Sequence, residues 1–193
     1  MFRNRNFLLE KILYLLFLSM NKIILKIITF YFLLNSYSLS EMNYTVSKDE
    51  FEGTTSHYIK SDSAYPNKPL SFPYKDTVSK LIVGCEVDSH YWVYVYFNKL
   101  NLLGGSIDDG YYRYSIKIKT KDGFHQVNAT KDFSKNFVNF DFLPSDKKTL
   151  KELMEKNDEL WIQFNHYQDG ERFYKYDTRG FTELFKKNCE NVS

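Results

Sequence analysis

Cysteine is nearly absent: Cys85 and Cys189 are the two in 193 residues. That excludes a multi-bridge framework and any Cys-x-x-Cys metal or redox motif. Glycine is scarce too, at eight, and neither a phosphate-cradling loop nor a Gly-x-Ser-x-Gly nucleophile turn occurs. Of four prolines, three fall in YPNKPLSFPY, Tyr65 to Tyr74, which reads as a loop. The four histidines, His57, His90, His125 and His166, are scattered, without the i, i+4 spacing of a zinc helix; a shared site could assemble only in three dimensions. No two carboxylates have a context that assigns acid and base roles. No repeat or low-complexity tract appears. These absences leave no catalytic residue, metal ligand or cofactor to name.

What is present begins with two apolar runs, Phe7 to Leu18 and Ile23 to Leu34. Each is roughly 12 residues, short of the ~20 that one helix needs to cross a bilayer. The second has the layout of a signal peptide. Met20, Asn21 and Lys22 form a positive n-region, the run is the h-region, and Ser38-Leu39-Ser40 offers small residues for cleavage before Glu41. The first run fits a true start at Met20, a longer signal from Met1, or an anchor over Ile12 to Leu34 that would bury Lys22 and Lys26. Residues 1–40 are thus expected to be a leader, and 41–193 a single exported domain. The leader holds five basic residues (Arg3, Arg5, Lys11, Lys22, Lys26) and one acid (Glu10), out of 26 and 24 overall, so the remainder carries a net charge of about −2. No concentrated basic face suggests nucleic acid. Membrane contact is expected only through an uncleaved leader.

An exported chain with two cysteines invites one bridge. In KLIVGCEVD, Leu81, Val83, Cys85 and Val87 alternate onto one side of a strand. In RGFTELFKKNC, Phe181, Leu184, Phe185 and Cys189 form a helical stripe. Both cysteines point inward and can meet; the alternative is two buried free thiols in a cytosolic protein. Neither has a nearby His or a helix N-terminus to make it a nucleophile.

Between them the chain reads mostly as strands. HYWVYVYFNKL, His90 to Leu100, puts Val93, Val95 and Phe97 on one face and Trp92, Tyr94 and Tyr96 on the other; apolar on both sides, it belongs in the sheet's interior. YYRYSIKIKT turns Tyr112, Tyr114, Ile116 and Ile118 inward. Lys121-Asp122-Gly123 is a hairpin turn, FHQVNAT returns, and NFVNFDF places Val138, Phe140 and Phe142 together. Pro144-Ser145 starts a helix capped by Ser145, with Leu150, Leu153, Met154 and Asn157 at helical spacing. ELWIQFNHY and RFYKYDT pair through Gln168-Asp169-Gly170, and Thr178 caps a closing helix. TSHYIKSDSA is an early strand. GGSIDDG, Gly104 to Gly110, lacks the spacing and closing Glu of a calcium loop and reads as a hairpin loop. The sum is a mainly antiparallel β-sandwich or open barrel of seven to eight strands, with an inserted and a C-terminal helix.

Aromatic residues, 18% of the chain, are the compositional anomaly. Tyrosines on strands can pave a ligand surface or cover a half-buried sheet. Trp92, Tyr94, Tyr96 and Arg113 are the candidate binding face. Sequons at Asn43, Asn128 and Asn191 matter only in a eukaryotic secretory path.

The order KDEFEGTTSHYI, SKLIVGCEVDSHYWVYVYF, YYRYSIKIK, LWIQFN, YKYDTRGFTELFKKNC resembles the exported VasI/TagO-like proteins associated with type VI secretion, and related periplasmic or phage-encoded domains. The likeness covers Asp49 to Cys189. It implies a Cys85–Cys189 disulfide, Arg113 as the strand arginine and Gly180-Phe181 as the helix start. The expected function is an envelope or periplasmic accessory that binds a protein or cell-wall partner, without catalysis. Alternatives are a prophage or defence-related envelope inhibitor, and a small hydrolase whose site is invisible in sequence.

Overall fold

The computed structural model describes residues 41–86, 90–99, 106–108, 110–132 and 139–190. The leader read in residues 1–40, Val87, Val138 and Asn191 lie outside them. The fold belongs to the unit Ser40–Ser193. Its elements are β1 (Asn43–Asp49), β2 (Thr54–Lys60), β3 (Ser79–Glu86), β4 (Tyr91–Phe97), β5 (Ser106–Asp108), β6 (Tyr111–Thr120), β7 (Gly123–Asp132), β8 (Asn139–Phe142), α1 (Pro144–Lys156), β9 (Glu159–His166), β10 (Gly170–Asp177), α2 (Phe181–Phe185) and a π-helical turn, Lys186–Glu190.

The strands form one open antiparallel sheet in the order β1-β2-β3-β4-β8-β7-β6-β9-β10. β7 pairs along the whole of one edge of β6; the other edge is shared by β5, at Tyr111 to Arg113, and β9, at Lys117 to Lys119. The sheet bends strongly. Phe97 on β4 meets Phe164 on β9 and Tyr174 on β10 edge-on, with ring centroids 5.0 and 5.4 Å apart. The proline-bearing segment after β2 lies across the remaining gap. Ala64 bridges to Ser79 on β3 and Pro66 to Tyr174 on β10. Asn67 accepts a bond from Phe173 N–H through Oδ1, and Asp169 takes both the N–H and the hydroxyl of Ser71.

Alternation decides which side chains fill the interior. Leu81, Val83, Val93, Val95, Phe97, Ile116, Ile118, Val127, Ala129, Ile162 and Phe164 are buried on the concave face. α1 covers one end with Leu150, Leu153 and Met154; α2 adds Phe181 and Phe185, the latter edge-on to Tyr91 at 5.5 Å. Cys85 and Cys189 are bonded to each other, with α-carbons 5.7 Å apart and a sequence separation of 104. The bridge fastens the last turn of the chain to β3. Free buried thiols, the alternative, are not found among the described residues.

Several local expectations change. β1 was not expected: apart from Tyr44 it is exposed throughout, as suits a strand at the sheet's edge. Within the acidic glycine-rich stretch read as a hairpin loop, Ser106–Asp108 forms the short strand β5, paired with Tyr111–Arg113 of β6; Gly104, Gly105 and Asp109 lie outside the described residues. Ser145 does not cap α1. Pro144 occupies the first turn, so the cap position falls to Leu143, which has no side-chain bond to give. Thr178 does not cap α2 with its side chain either. Gly180, φ 77°, holds that position, while the Thr178 hydroxyl donates to the Asn157 carbonyl at 2.5 Å. In the β6–β7 turn the positive φ falls on Gly123 and not on Asp122.

Candidate functional site

The convex face carries the expected aromatic residues. Strand register places them in transverse rows. Tyr58, Gly84 and Trp92 form one row, and Lys60, Ile82, Tyr94, Asp141, Thr130 and Arg113 the next. Lys80 and Tyr96 make a third.

Gly84 is the key to the first row. A Cβ there would stand 2.3 Å from the Trp92 ring. The indole therefore lies directly against the β3 backbone, in space that any other residue would fill. Tyr58 meets it edge-on, with centroids 6.1 Å apart at 76°, and Lys60 Nζ sits 5.0 Å from the Tyr58 centroid. In the second row Ile82 is 6% exposed although it faces outward, since Lys60, Tyr58 and Tyr94 flank it. Burial pushes the Tyr94 hydroxyl up to about 12, and the neighbouring Tyr58 and Asp141 add to the shift. Tyr94 is thus a neutral donor at any physiological pH. Tyr96 is exposed. The result is a half-buried aromatic pavement with fixed rings, rimmed by Lys60, Lys80 and Asp141. Such a surface has large contact area and little side-chain entropy to lose on binding.

Arg113 is not brought beside it. It shares the convex face and the Tyr94 row, but β8 and β7 stand between β4 and β6, which is roughly 14 Å at ordinary strand spacing. Tyr58 and Gly84 are the members that sequence reasoning missed. A glycine in a strand otherwise rich in branched residues was the available signal of a close approach.

The described histidines occupy separate environments. His57 Nδ1 is 2.6 Å from the Tyr44 hydroxyl, His125 Nε2 is 3.4 Å from Thr120 Oγ1, and His166 Nε2 is 3.0 Å from the Tyr174 hydroxyl. Burial, with help from Arg172 and against Asp169, pushes His166 down to about 4. Among the described residues no three His, Cys, Asp or Glu side chains are grouped so as to hold a metal ion. None of the described helices is long and apolar enough to cross a membrane. Asn43 and Asn128, which head two of the sequons, are exposed.

No family model, curated protein or solved structure matches the chain.

Proposed function

We propose that this chain is an exported accessory protein of the cell envelope that works by binding a protein partner, with the convex face of β2, β3 and β4 as its contact surface. The observation that carries this reading is the Trp92 indole laid on Gly84 and flanked by Tyr58, Tyr94 and Tyr96. A glycine kept free of a side chain so that a tryptophan can lie flat on a sheet's outer face makes a rigid anchor of the kind found at the centre of interfaces. The Cys85–Cys189 bridge supports an oxidising compartment. That agrees with the signal-peptide layout of residues 20–40 and with the resemblance to the VasI/TagO-like exported proteins.

The test uses the native chain expressed from Met1. Edman sequencing of protein from the envelope or secreted fraction should give a new N-terminus at Glu41, with no titratable thiol. A photo-reactive residue at position 96 should cross-link one discrete envelope protein, and the same residue at Phe51, which is 99% exposed, should not. Tyr96→Arg should abolish the cross-link formed from a second label at position 80 without lowering the melting temperature. Recovery of full-length reduced protein from the cytosol would overturn the export reading. Equal cross-linking from positions 51 and 96 would overturn the surface.

A further inference from the structure

The convex face carries a second tryptophan, and its surroundings differ from those of Trp92. Trp161 lies on β9 between Lys119 of β6 and Lys175 of β10. Its indole N–H donates to Glu159 Oε1 at 3.0 Å. Lys175 pairs with Glu159 at 2.5 Å and sits 5.6 Å from the indole centroid. The ring is held in place by neighbours on two strands. Beside it a groove of about 460 Å³ opens, lined by Lys119, Thr120 and Lys121 from the end of β6 and the turn after it, and by Asn157, Asp158, Glu159 and Trp161 from the start of β9 and the residues before it. None of Trp92, Tyr94, Tyr96 or Arg113 lines it.

Three features say what would fit. First, the platform is aromatic and fixed, which suits a ligand with a flat C–H face. Second, polar groups of both kinds converge with hydrogen-bonding capacity to spare. Among the described residues the side chains of Lys119, Lys121 and Asp158 have no hydrogen bond or ion pair, and Asn157 Oδ1 is buried with no donor. A buried acceptor without a donor is a deficit that a hydroxyl group can remove. Third, the charges are mixed. An anion would meet Asp158 and Glu159, and a cation would meet Lys119 and Lys121. A neutral ligand that both gives and takes hydrogen bonds meets neither penalty. Vicinal hydroxyls beside a C–H face are the chemistry of a sugar ring.

We infer that this groove is a binding site for a neutral saccharide, with Trp161 as the stacking platform, Lys119 and Lys121 as donors to ring hydroxyls, and Asp158 and Asn157 as acceptors. The volume lies within the ordinary range for small-ligand sites. A chain exposed outside the cell would meet such rings on glycan surfaces.

The chain has two tryptophans, so each site can be given its own fluorophore. In Trp92→Phe, emission reports on Trp161 alone. Titration with chitotetraose, cellotetraose and maltotetraose should give a saturable change in intensity or wavelength with at least one of them. Asp158→Ala and Lys121→Ala, both at exposed positions, should weaken that binding about tenfold each and leave the far-ultraviolet circular dichroism unchanged. Trp161→Phe, which leaves Trp92 as the reporter, should show no change with the same sugars. The inference fails if no neutral saccharide gives saturation by about 10 mM. It also fails if an acidic saccharide such as polygalacturonate binds better than every neutral one, or if both alanine variants bind as well as the parent. The protein-binding surface around Trp92 is read separately by cross-linking at position 96, so either conclusion can fall without the other.

Discussion

Trp92 packs on Gly84 so closely that a methyl group on the glycine would enter the indole ring. The two are cross-strand partners in the β3–β4 register. Gly84→Ala should therefore push the ring off the sheet and lower stability by about 1–3 kcal/mol, the usual range for overpacking. Trp92 emission should move to longer wavelength as the ring enters water. In a Trp92→Ala background the same alanine should cost far less, because its obstacle is gone; alanine also suits a strand better than glycine. Urea unfolding of the four proteins in the cycle measures the coupling. Equal costs in both backgrounds would show that the close approach does not constrain the native ring.

The disulfide should matter to the whole domain. It joins β3 to the final turn across 104 residues, a loop for which chain entropy gives roughly 4–5 kcal/mol, with measured bridges usually giving 2–5. Cys85→Ala with Cys189→Ala should unfold at correspondingly lower urea concentration. A reducing agent should shift the parent by a similar amount and leave the variant unaffected. Loss is expected to begin at the C-terminal end. α2 is only five residues long, and Phe181, Phe185 and the bridge are what hold it. Hydrogen exchange should show Leu184 to Glu190 losing protection before the β6–β7 pair does. Uniform loss would mean that the end of the chain has no independent unfolding step.

Much of this fold was legible because strands buried on one face advertise themselves. Val93, Val95 and Phe97 alternate with Trp92, Tyr94 and Tyr96, and the structure separates them onto two faces accordingly. The inward direction of Cys85 followed from the same alternation, and that of Cys189 from the stripe begun by Phe181 and Phe185. Strand order was not legible. It places β8 and β7 between β4 and β6, so Arg113 stands apart from the tyrosines with which it was grouped as a candidate binding face. The Trp161 groove was hidden for the same reason. Lys119 and Trp161 become neighbours through three residue pairs between β6 and β9, a contact over some forty positions that no local pattern encodes. β1 escaped notice because Asn43–Asp49 offers only Tyr44 and Val46 as an apolar face before turning polar, and its pairing with β2 is what makes it a strand.

His166 should give the protein an acid-sensitive step. It is fully buried beside Tyr174 and Phe97, and burial lowers it from 6.5 to about 4. The folded state therefore refuses a proton that the unfolded chain accepts. Above pH ~6.5 the group is neutral in both states and the effect is absent. As pH falls from about 6.5 to 4 the unfolded state gains protons first and stability is lost, reaching about 3 kcal/mol before levelling below 4. Depressed carboxylates such as Asp177, held down against burial by its bond to Arg179, add losses at lower pH. A comparison with His166→Gln isolates the histidine, since glutamine stays neutral and can still meet the Tyr174 hydroxyl. The stability difference between parent and variant should narrow or reverse in favour of the variant between pH 7 and pH 4. A constant difference across that range would mean that His166 takes its proton in the folded state as readily as in the unfolded one.

Ser79 and Tyr176 provide the sharpest test of how the sheet's far strands are joined. Ser79 is on β3 and Tyr176 on β10, 97 residues apart, yet their hydroxyls are 2.6 Å from each other and both side chains are buried. Burial pushes the Tyr176 hydroxyl far above its ordinary value, against the pull of Ser79, so the pair is a neutral hydrogen bond. Ser79→Ala would leave a phenol hydroxyl closed off from water without a partner, at a cost of about 1–3 kcal/mol. Tyr176→Phe removes the costlier orphan and leaves only the serine hydroxyl, which can rotate toward other acceptors, so about 1 kcal/mol is expected. The double variant replaces two polar groups by apolar ones of nearly the same shape. It should be no less stable than Tyr176→Phe alone, giving a coupling of about 1 kcal/mol or more in a double-mutant cycle. Additive losses would show that the two hydroxyls do not touch in solution, and that the bend bringing β3 against β10 is looser than the packing of Phe97 on Tyr174 implies.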